Sequence, residues 1–294
     1  MTRLIPMAFC SLLFSATLCA QGPIDGYLKG KGNLDIAVSL SNNSAQDFFG
    51  KDGAVYNEPF RGRFLALFAE YGFTDDLDIV ATLPYVFTST QSGFQDGSLH
   101  LKFRPLRIKT GDGGFFNAVA AAGISAPLSN YEPLAAGAIG QRATVLQPRL
   151  VLQWDSGFGP FFNLTGGYNV RLDALREEDI AGVRLLRPDY NPEQPKNFTN
   201  WLIKAGLPAA NYYLDVWLER QFTQGGADYA PMVPDLPQAY GVTYTQIGGT
   251  AYYSENGKVG FYLSGAHILS GRNTSGITRI TAGVVLKLST QSTN

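Results

Sequence analysis

The sequence predicts an all-β fold: a transmembrane antiparallel up-and-down β-barrel of about 12 strands, preceded by a signal peptide. Three observations predict it. Segments in which apolar and polar residues alternate recur along nearly the whole chain, the period of a strand with one apolar and one polar face. Most are long enough to cross a bilayer when tilted, about nine to eleven residues, where strands of soluble proteins average about five or six. The connections alternate short and long, so one end of the folded object carries tight turns and the other carries loops, the asymmetry of outer-membrane barrels.

Residues 1–20 have the form of a signal peptide. Arg3 supplies the basic start, Leu4 to Leu18 is largely apolar, and Ala20 is the small residue at the junction. The 2 cysteines, Cys10 and Cys19, both fall in this leader. The remainder, 21–294, is read as one barrel domain without a thiol for a disulfide or a metal site. Ala16-Thr17-Leu18 lacks the small residue that a lipoprotein signal sets next to its cysteine. No later run approaches the roughly 20 apolar residues of a membrane-spanning helix. Lys and Arg total 23 against 24 Asp and Glu, a balance that offers nothing to a nucleic acid.

In chain order, the first run covers about Asn33 to Ser41, where Leu34, Ile36, Val38 and Leu40 alternate with Asn33, Asp35, Ala37 and Ser39. The second covers Phe60 to Tyr71, with Leu65, Leu67, Ala69 and Tyr71 on one face. The turn Gly72-Phe73-Thr74-Asp75-Asp76 leads to the third, Leu77 to Phe87, whose odd positions are apolar. The fourth, Phe94 to Arg104, sets Leu99, Leu101 and Phe103 against Asp96, Ser98, His100, Lys102 and Arg104. The fifth is Phe115 to Ala126, behind the glycines 111, 113 and 114. The sixth, Ala143 to Asp155, puts Leu150, Leu152 and Trp154 opposite Gln147, Arg149 and Gln153. The seventh, Phe161 to Leu172, sets Phe162, Leu164 and Val170 against Asn163, Thr165, Asn169 and Arg171.

The eighth, Phe198 to Leu207, and the ninth, Tyr212 to Phe222, flank the short turn at Pro208 to Asn211. The tenth, about Ala239 to Tyr253, precedes Asn256-Gly257, a strong hairpin signal. The eleventh is Val259 to Leu269. In the twelfth, Ile277 to Leu288, Ile280, Ala282, Val284 and Leu286 oppose Arg279, Thr281, Gly283 and Lys287. Long connections are expected over Asn42 to Pro59, Pro127 to Arg142, Asp173 to Asn197 and Thr223 to Gln238, and a link of middling length over Arg107 to Gly114. An even strand count puts both termini on the short-turn, periplasmic side. The tail Ser289 to Asn294 lacks the aromatic residue with which such barrels usually end.

In a membrane barrel the apolar face points to lipid and the polar face to the lumen. That assigns Asp35, Glu70, His100, Lys102, Arg104, Arg149, Arg171, Lys204, Asp215, Glu219, Arg279 and Lys287 to the inside. Basic groups lead modestly, so the lumen is either a conduit that favours anionic or polar solutes or an interior of paired charges that stiffens the barrel. Tyr71, Phe73, Tyr85, Phe87, Phe158, Phe161, Phe162, Tyr212, Tyr213, Tyr252 and Tyr253 cluster at strand ends as membrane girdles. His267 reads as outward. Ser98 precedes His100 by two residues on one strand face, too far apart for a nucleophile–base pair. No metal or cofactor motif is present. The expected partners are outer-membrane lipid, the barrel-insertion machinery and a small-molecule solute, hydrophobic or anionic. The alternatives are a closed structural or receptor barrel acting through its outer loops, and a membrane-embedded hydrolase.

The run Tyr71-Gly72-Phe73-Thr74-Asp75-Asp76-Leu77-Asp78-Ile79, then Leu83-Pro84-Tyr85, Gln95-Asp96-Gly97-Ser98-Leu99 and Leu101-Lys102-Phe103-Arg104, resembles the outer-membrane barrel family grouped as "MetA-pathway of phenol degradation". The resemblance covers about Phe60 to Arg104. It implies a membrane barrel that serves as a transporter or channel, with some members linked to uptake of aromatic or hydrophobic compounds. It carries no site residues onto this chain.

Overall fold

The computed structural model describes residues 24–89, 91–111, 113–131, 139–140, 142–172, 177–186, 188–189, 196–229 and 241–289. The signal-peptide expectation, most of the tail and parts of three long loops lie outside them. Twelve staves form the wall: β1 (Asn33–Phe49), β2 (Val55–Gly72), β3 (Leu77–Phe87), β4 (Asp96–Thr110), β5 (Gly114–Pro127), β6 (Arg149–Asp155), β7 (Phe161–Arg171), β8 (Phe198–Pro208), β9 (Tyr212–Thr223), β10 (Thr243–Tyr253), β11 (Val259–Arg272) and β12 (Thr278–Ser289). Each pairs antiparallel with its neighbours in sequence, and β12 returns to β1 over Leu34↔Leu288 to Ser44↔Thr278. The sheet is therefore closed. Closure satisfies every stave's backbone within the wall, the condition for crossing hydrocarbon with strands. Among the described residues one α-helix, α1 (Glu177–Leu186), lies in the connection between β7 and β8.

The alternation fixes which face is which. Leu65, Leu67, Leu99, Leu101, Leu150, Trp154, Ile203, Leu214, Val216, Ile280 and Leu286 stand exposed on the outside. The intervening positions, such as Ser39, Ser41, Gln153, Asn163, Thr165, Asn200, Gln246 and Thr281, are buried inside. Hydrogen bonds lace the inner face: Ser41 to Thr281 (2.7 Å), Thr165 to Asn163 (2.9 Å), Asn163 to Gln153 (3.1 Å) and Asn169 to Asn200 (3.0 Å). This apolar-out, polar-in arrangement suits a lipid surround and a hydrated or polar-packed interior.

Two connections differ from the expectation. The ladder of β1 and β2 continues past Ser41 to Phe49↔Val55, with a bulge between Ala45 and Asp47, so the supposed loop over Asn42 to Pro59 is mostly a projecting hairpin. It rises beyond the apolar belt, where its outer face leaves lipid while Ala45, Phe48 and Tyr56 pack into a buried apolar cluster, so the apolar-out alternation fades. The link over Arg107 to Gly114 is also a hairpin: β4 and β5 stay paired to Thr110↔Gly114 after a bulge between Phe103 and Leu106. The bulge holds Pro105, which has no backbone N–H for the ladder.

The aromatic assignment needs correction at three positions. Tyr71, Phe73, Phe87, Phe158, Phe162, Tyr212 and Tyr253 are exposed, as a girdle requires. Phe161, Tyr213 and Tyr252 instead turn inward. Phe161 stacks on Tyr213 at 5.7 Å between ring centroids, and Lys287 lies over the Tyr252 ring at 5.1 Å. Each sits beside an outward aromatic, so one step of the alternation puts it on the other face.

Candidate functional site

The interior is built in three levels. At the short-turn end, residues 24–32 do not join the wall but enter the lumen. Gly30 and Gly32 both take φ +76°, and Gly32 N–H donates to Gly72 O at 2.8 Å. A Cβ on Gly72 would fall 1.9 Å from Gly30 O, so glycine is required for the segment to pass so close to β2. Further in, Gly26 packs on Gln153, the Tyr27 hydroxyl donates to Asp155 Oδ1 (3.2 Å), and the Tyr27 ring meets Phe161 edge-on at 5.5 Å.

Charge holds this segment. Lys29 Nζ contacts Asp35 Oδ2 at 2.8 Å and Glu70 Oε2 at 3.3 Å, and Lys29 N–H donates to Asp78 Oδ2 at 2.8 Å. Lys102 Nζ contacts Glu70 Oε1 at 2.6 Å and Asp25 Oδ1 at 2.9 Å. Glu70 thus bridges a lysine of the wall and a lysine of the inserted segment. With its side chain only 1% exposed, Lys102 needs these carboxylates, since a buried ammonium without partners is strongly disfavoured.

Ile24 and Asp25 reach mid-lumen, where Arg149, Trp217, Glu219 and Arg279 surround a cavity of about 20 Å³, room for about one water molecule. Below it, toward the short turns, a vestibule of 360 Å³ opens between the inserted segment and the wall of β8 to β12, β1 and β2. Tyr27, Tyr213, Tyr252, Tyr262 and Phe68 line it. The Thr250 and Tyr252 hydroxyls on this wall are buried without a partner among the described residues.

At the loop end, Phe48, Phe64, Val86, Tyr229, Tyr244 and Ile268 belong to one buried apolar cluster across the mouth. The Phe48 and Tyr229 rings meet edge-on at 4.8 Å. Tyr229 donates through its hydroxyl to Glu58 Oε1 (2.5 Å). Arg272 Nε donates to Asp228 Oδ1 (2.5 Å), and Lys51 Nζ lies 3.2 Å from Asp228 Oδ2. Burial would raise the Asp228 pKa, but the bonds from Arg272 and Lys51 outweigh it and hold that carboxyl below its usual range.

The structure places Asp35, Glu70, His100, Lys102, Lys204, Asp215 and Glu219 inside and buried. Lys204 pairs with Asp215 at 3.3 Å. Arg149 lines the mid-lumen cavity, and Arg279 donates through Nε to Asn43 Oδ1 at 3.1 Å. Arg171 donates to Lys196 O at 2.9 Å near the loop end, and Lys287 stands at the vestibule mouth. Arg104 is a correction: it binds Asp76 at 2.6 Å in the exposed turn after β2, so it belongs to the rim. Asp25, Lys29, Asp78 and Asp155 are inner charges beyond those assigned from the sequence. Asp78 follows from the same alternation that turns Ile79 outward. Asp25 and Lys29 lie in a glycine-rich stretch without a period. With these included, the inner surface carries no basic surplus.

The histidines separate. His100 Nε2 bonds Gln147 Oε1 at 2.9 Å inside, while His267 bonds Thr278 Oγ1 at 2.9 Å outside. Ser98 Oγ bonds Thr82 Oγ1 at 2.6 Å, so Ser98 and His100 are each engaged elsewhere than with one another.

These features define a transmembrane β-barrel of 12 staves with an occupied lumen. Its fold is similar to that of the COG4313 outer membrane channel from Pseudomonas putida F1, at 14% identity and TM-score 0.67, covering 90% of this chain and 98% of that one. It is also similar to the NanC porin, at 13% identity and TM-score 0.50, covering 86% of this chain and 100% of that one. At such identities the likeness is one of fold. No protein-family model matches the chain, and no curated protein sequence does. The narrower resemblance to the MetA-pathway group is therefore unconfirmed, and the wider class of outer-membrane barrel is what the comparisons support.

Proposed function

We propose that this chain is an outer-membrane channel for small solutes, with short turns and both termini toward the periplasm and the long loops outside. The observation that carries the reading is the 360 Å³ vestibule, which ends at a segment held chiefly by side-chain contacts. A segment held that way can leave the lumen without breaking the barrel ladder. Tyrosine rings offer flat apolar faces with polar tips. Together with the balanced charge, this lining favours neutral or amphipathic solutes over anions. The lipid of the outer membrane surrounds the belt, and the barrel-insertion machinery places it there.

The apolar cluster over the loop end favours a second reading, a closed barrel that acts through its outer loops. Planar-bilayer recording separates the two. The channel reading predicts discrete small conductance steps and a reversal potential near zero across a salt gradient, as a charge-balanced lumen requires. Silence from the full chain and from a chain lacking residues 24–32 would reject conduction and leave the closed barrel.

A further inference from the structure

The outward faces of the staves are almost free of charge, and the exceptions are all of one sign at one end. Among the described residues, the ionised side chains that face outward along the apolar belt and its edges are Arg61 and Arg63 on β2 and Arg220 on β9. Their burial pattern fixes their direction. Gly62 and Phe64 beside the first two are buried, as are Glu219 and Gln221 beside the third, while all three arginines are exposed. None has a carboxylate partner among the described residues. The nearest outward carboxylate on β1 and β2 is Asp47, which pairs in register with Asn57, four residues beyond Arg61.

All three stand at the loop end of the belt. Arg63 lies level with Phe87, the last residue of β3, and the next outward residues toward the short turns are Leu65 and Leu67. Arg61 is about 7 Å farther out along the same stave. Arg220 lies level with the exposed Trp201 of β8, and its guanidinium sits 4.5 Å from the Phe222 ring centroid. Arginine beside outward aromatics at the edge of an apolar belt is placed at headgroup depth, with its stem on the apolar surface and its fork in the polar layer. Leaving three such forks without carboxylates would be a poor design against a neutral layer. A guanidinium fork matches phosphate oxygens two at a time.

We infer that Arg61 with Arg63, and Arg220 apart from them, are two headgroup-binding points for phosphorylated lipid of the leaflet at the long-loop end. The staves β2 and β9 lie on opposite sides of the ring, so the contacts hold the barrel at two points of its circumference. The surface is independent of conduction, because it lies on the outside of the wall.

The test uses the full chain, purified in a neutral detergent and presented with bisphosphorylated lipid A, with the same lipid stripped of phosphate, and with inorganic phosphate as competitor. Native mass spectrometry reads the bound lipid. The expected result is retention of the phosphorylated lipid, loss of affinity on the order of thirtyfold at the Arg61–Arg63 point and several-fold at the Arg220 point in the triple variant Arg61→Gln, Arg63→Gln and Arg220→Gln, and recovery in the corresponding triple Lys variant. The heat-dependent shift of the folded barrel on a gel shows that each variant is folded. If the triple Gln variant does not fold, the single variant Arg220→Gln replaces it, with a loss of several-fold expected. Equal retention by the Gln variant, equal binding of the stripped lipid, or displacement by millimolar inorganic phosphate would each overturn the inference.

Discussion

Replacing Lys102 with Met should release the inserted segment. The substitution keeps the apolar stem and removes the ammonium that contacts Glu70 at 2.6 Å and Asp25 at 2.9 Å. Two carboxylates are then left with Lys29 as the nearest remaining cation, 3.3 Å from Glu70. Breaking a buried pair costs about 3–5 kcal/mol. The part carried by Glu70 persists whether or not the segment is in place, but the part carried by Asp25 is relieved when the segment leaves and Asp25 is hydrated. The Asp25 side chain keeps 21% exposure, so its share is discounted to about 2–3 kcal/mol. That weakens docking roughly 30- to 150-fold, at about 1.4 kcal/mol per tenfold. In planar bilayers the variant should open to a larger conductance level, matching that of a chain lacking residues 24–32. A second variant, Asp25→Asn added to Lys102→Met, should recover part of the docking and lower the conductance again, because the neutral amide removes the unpaired buried charge. A folded Lys102→Met barrel with wild-type conductance and noise would refute the electrostatic anchoring.

Three further outcomes follow from the same geometry. Gly72→Ala would set a Cβ 1.9 Å from Gly30 O, so the segment must shift; raised conductance with an unchanged barrel is expected, and an unchanged current would count against the close approach. Asp228 has a depressed folded pKa, so its contribution to the loop-end cluster is fully present above its unfolded value near 3.8 and is lost as pH falls through the lower folded value. Hydrogen exchange around Asp228 and Tyr229 should accelerate in that acid range, and Asp228→Asn should accelerate it already at neutral pH and remove the acid step. Val216, midway along β9 and 65% exposed, faces the belt. Val216→Arg should cost about 2–4 kcal/mol of folding stability in lipid vesicles, measured by denaturant titration, whereas a water-facing surface would tolerate it.

The wall was legible in the sequence because lipid on one side and a polar lumen on the other impose a period of two on every stave. For β3 the observed bounds, Leu77–Phe87, coincide with those of the alternating run. Legibility ended where that constraint ended. The projecting hairpin of β1 and β2 no longer faces lipid on its outer side, so Asn42 to Asp47 carries no apolar-out alternation although it is paired. The inward turn of Phe161, Tyr213 and Tyr252 was readable only by counting parity across adjacent aromatics. The inserted segment was not readable at all. Asp25 finds Lys102, and Tyr27 finds Asp155, across separations along the chain of 77 and 128 residues, and no local pattern encodes such a partner. The inner list therefore began with a basic surplus, which Asp78, Asp155 and the move of Arg104 to the rim cancel, while Asp25 and Lys29 of the segment offset one another.

The central claim is that residues 24–32 close the lumen reversibly, and a cysteine pair tests it most directly. A Cβ built on Gly26 lies 2.6 Å from the Cβ of Gln153, so a small adjustment brings Gly26→Cys and Gln153→Cys within disulfide reach, about 3.5–4.5 Å between Cβ atoms. In the Lys102→Met background, single-channel conductance should fall to the wild-type level when the pair is oxidised and rise to the open level when reductant is added. Conductance that ignores the redox state, with the disulfide shown to form, would contradict the account.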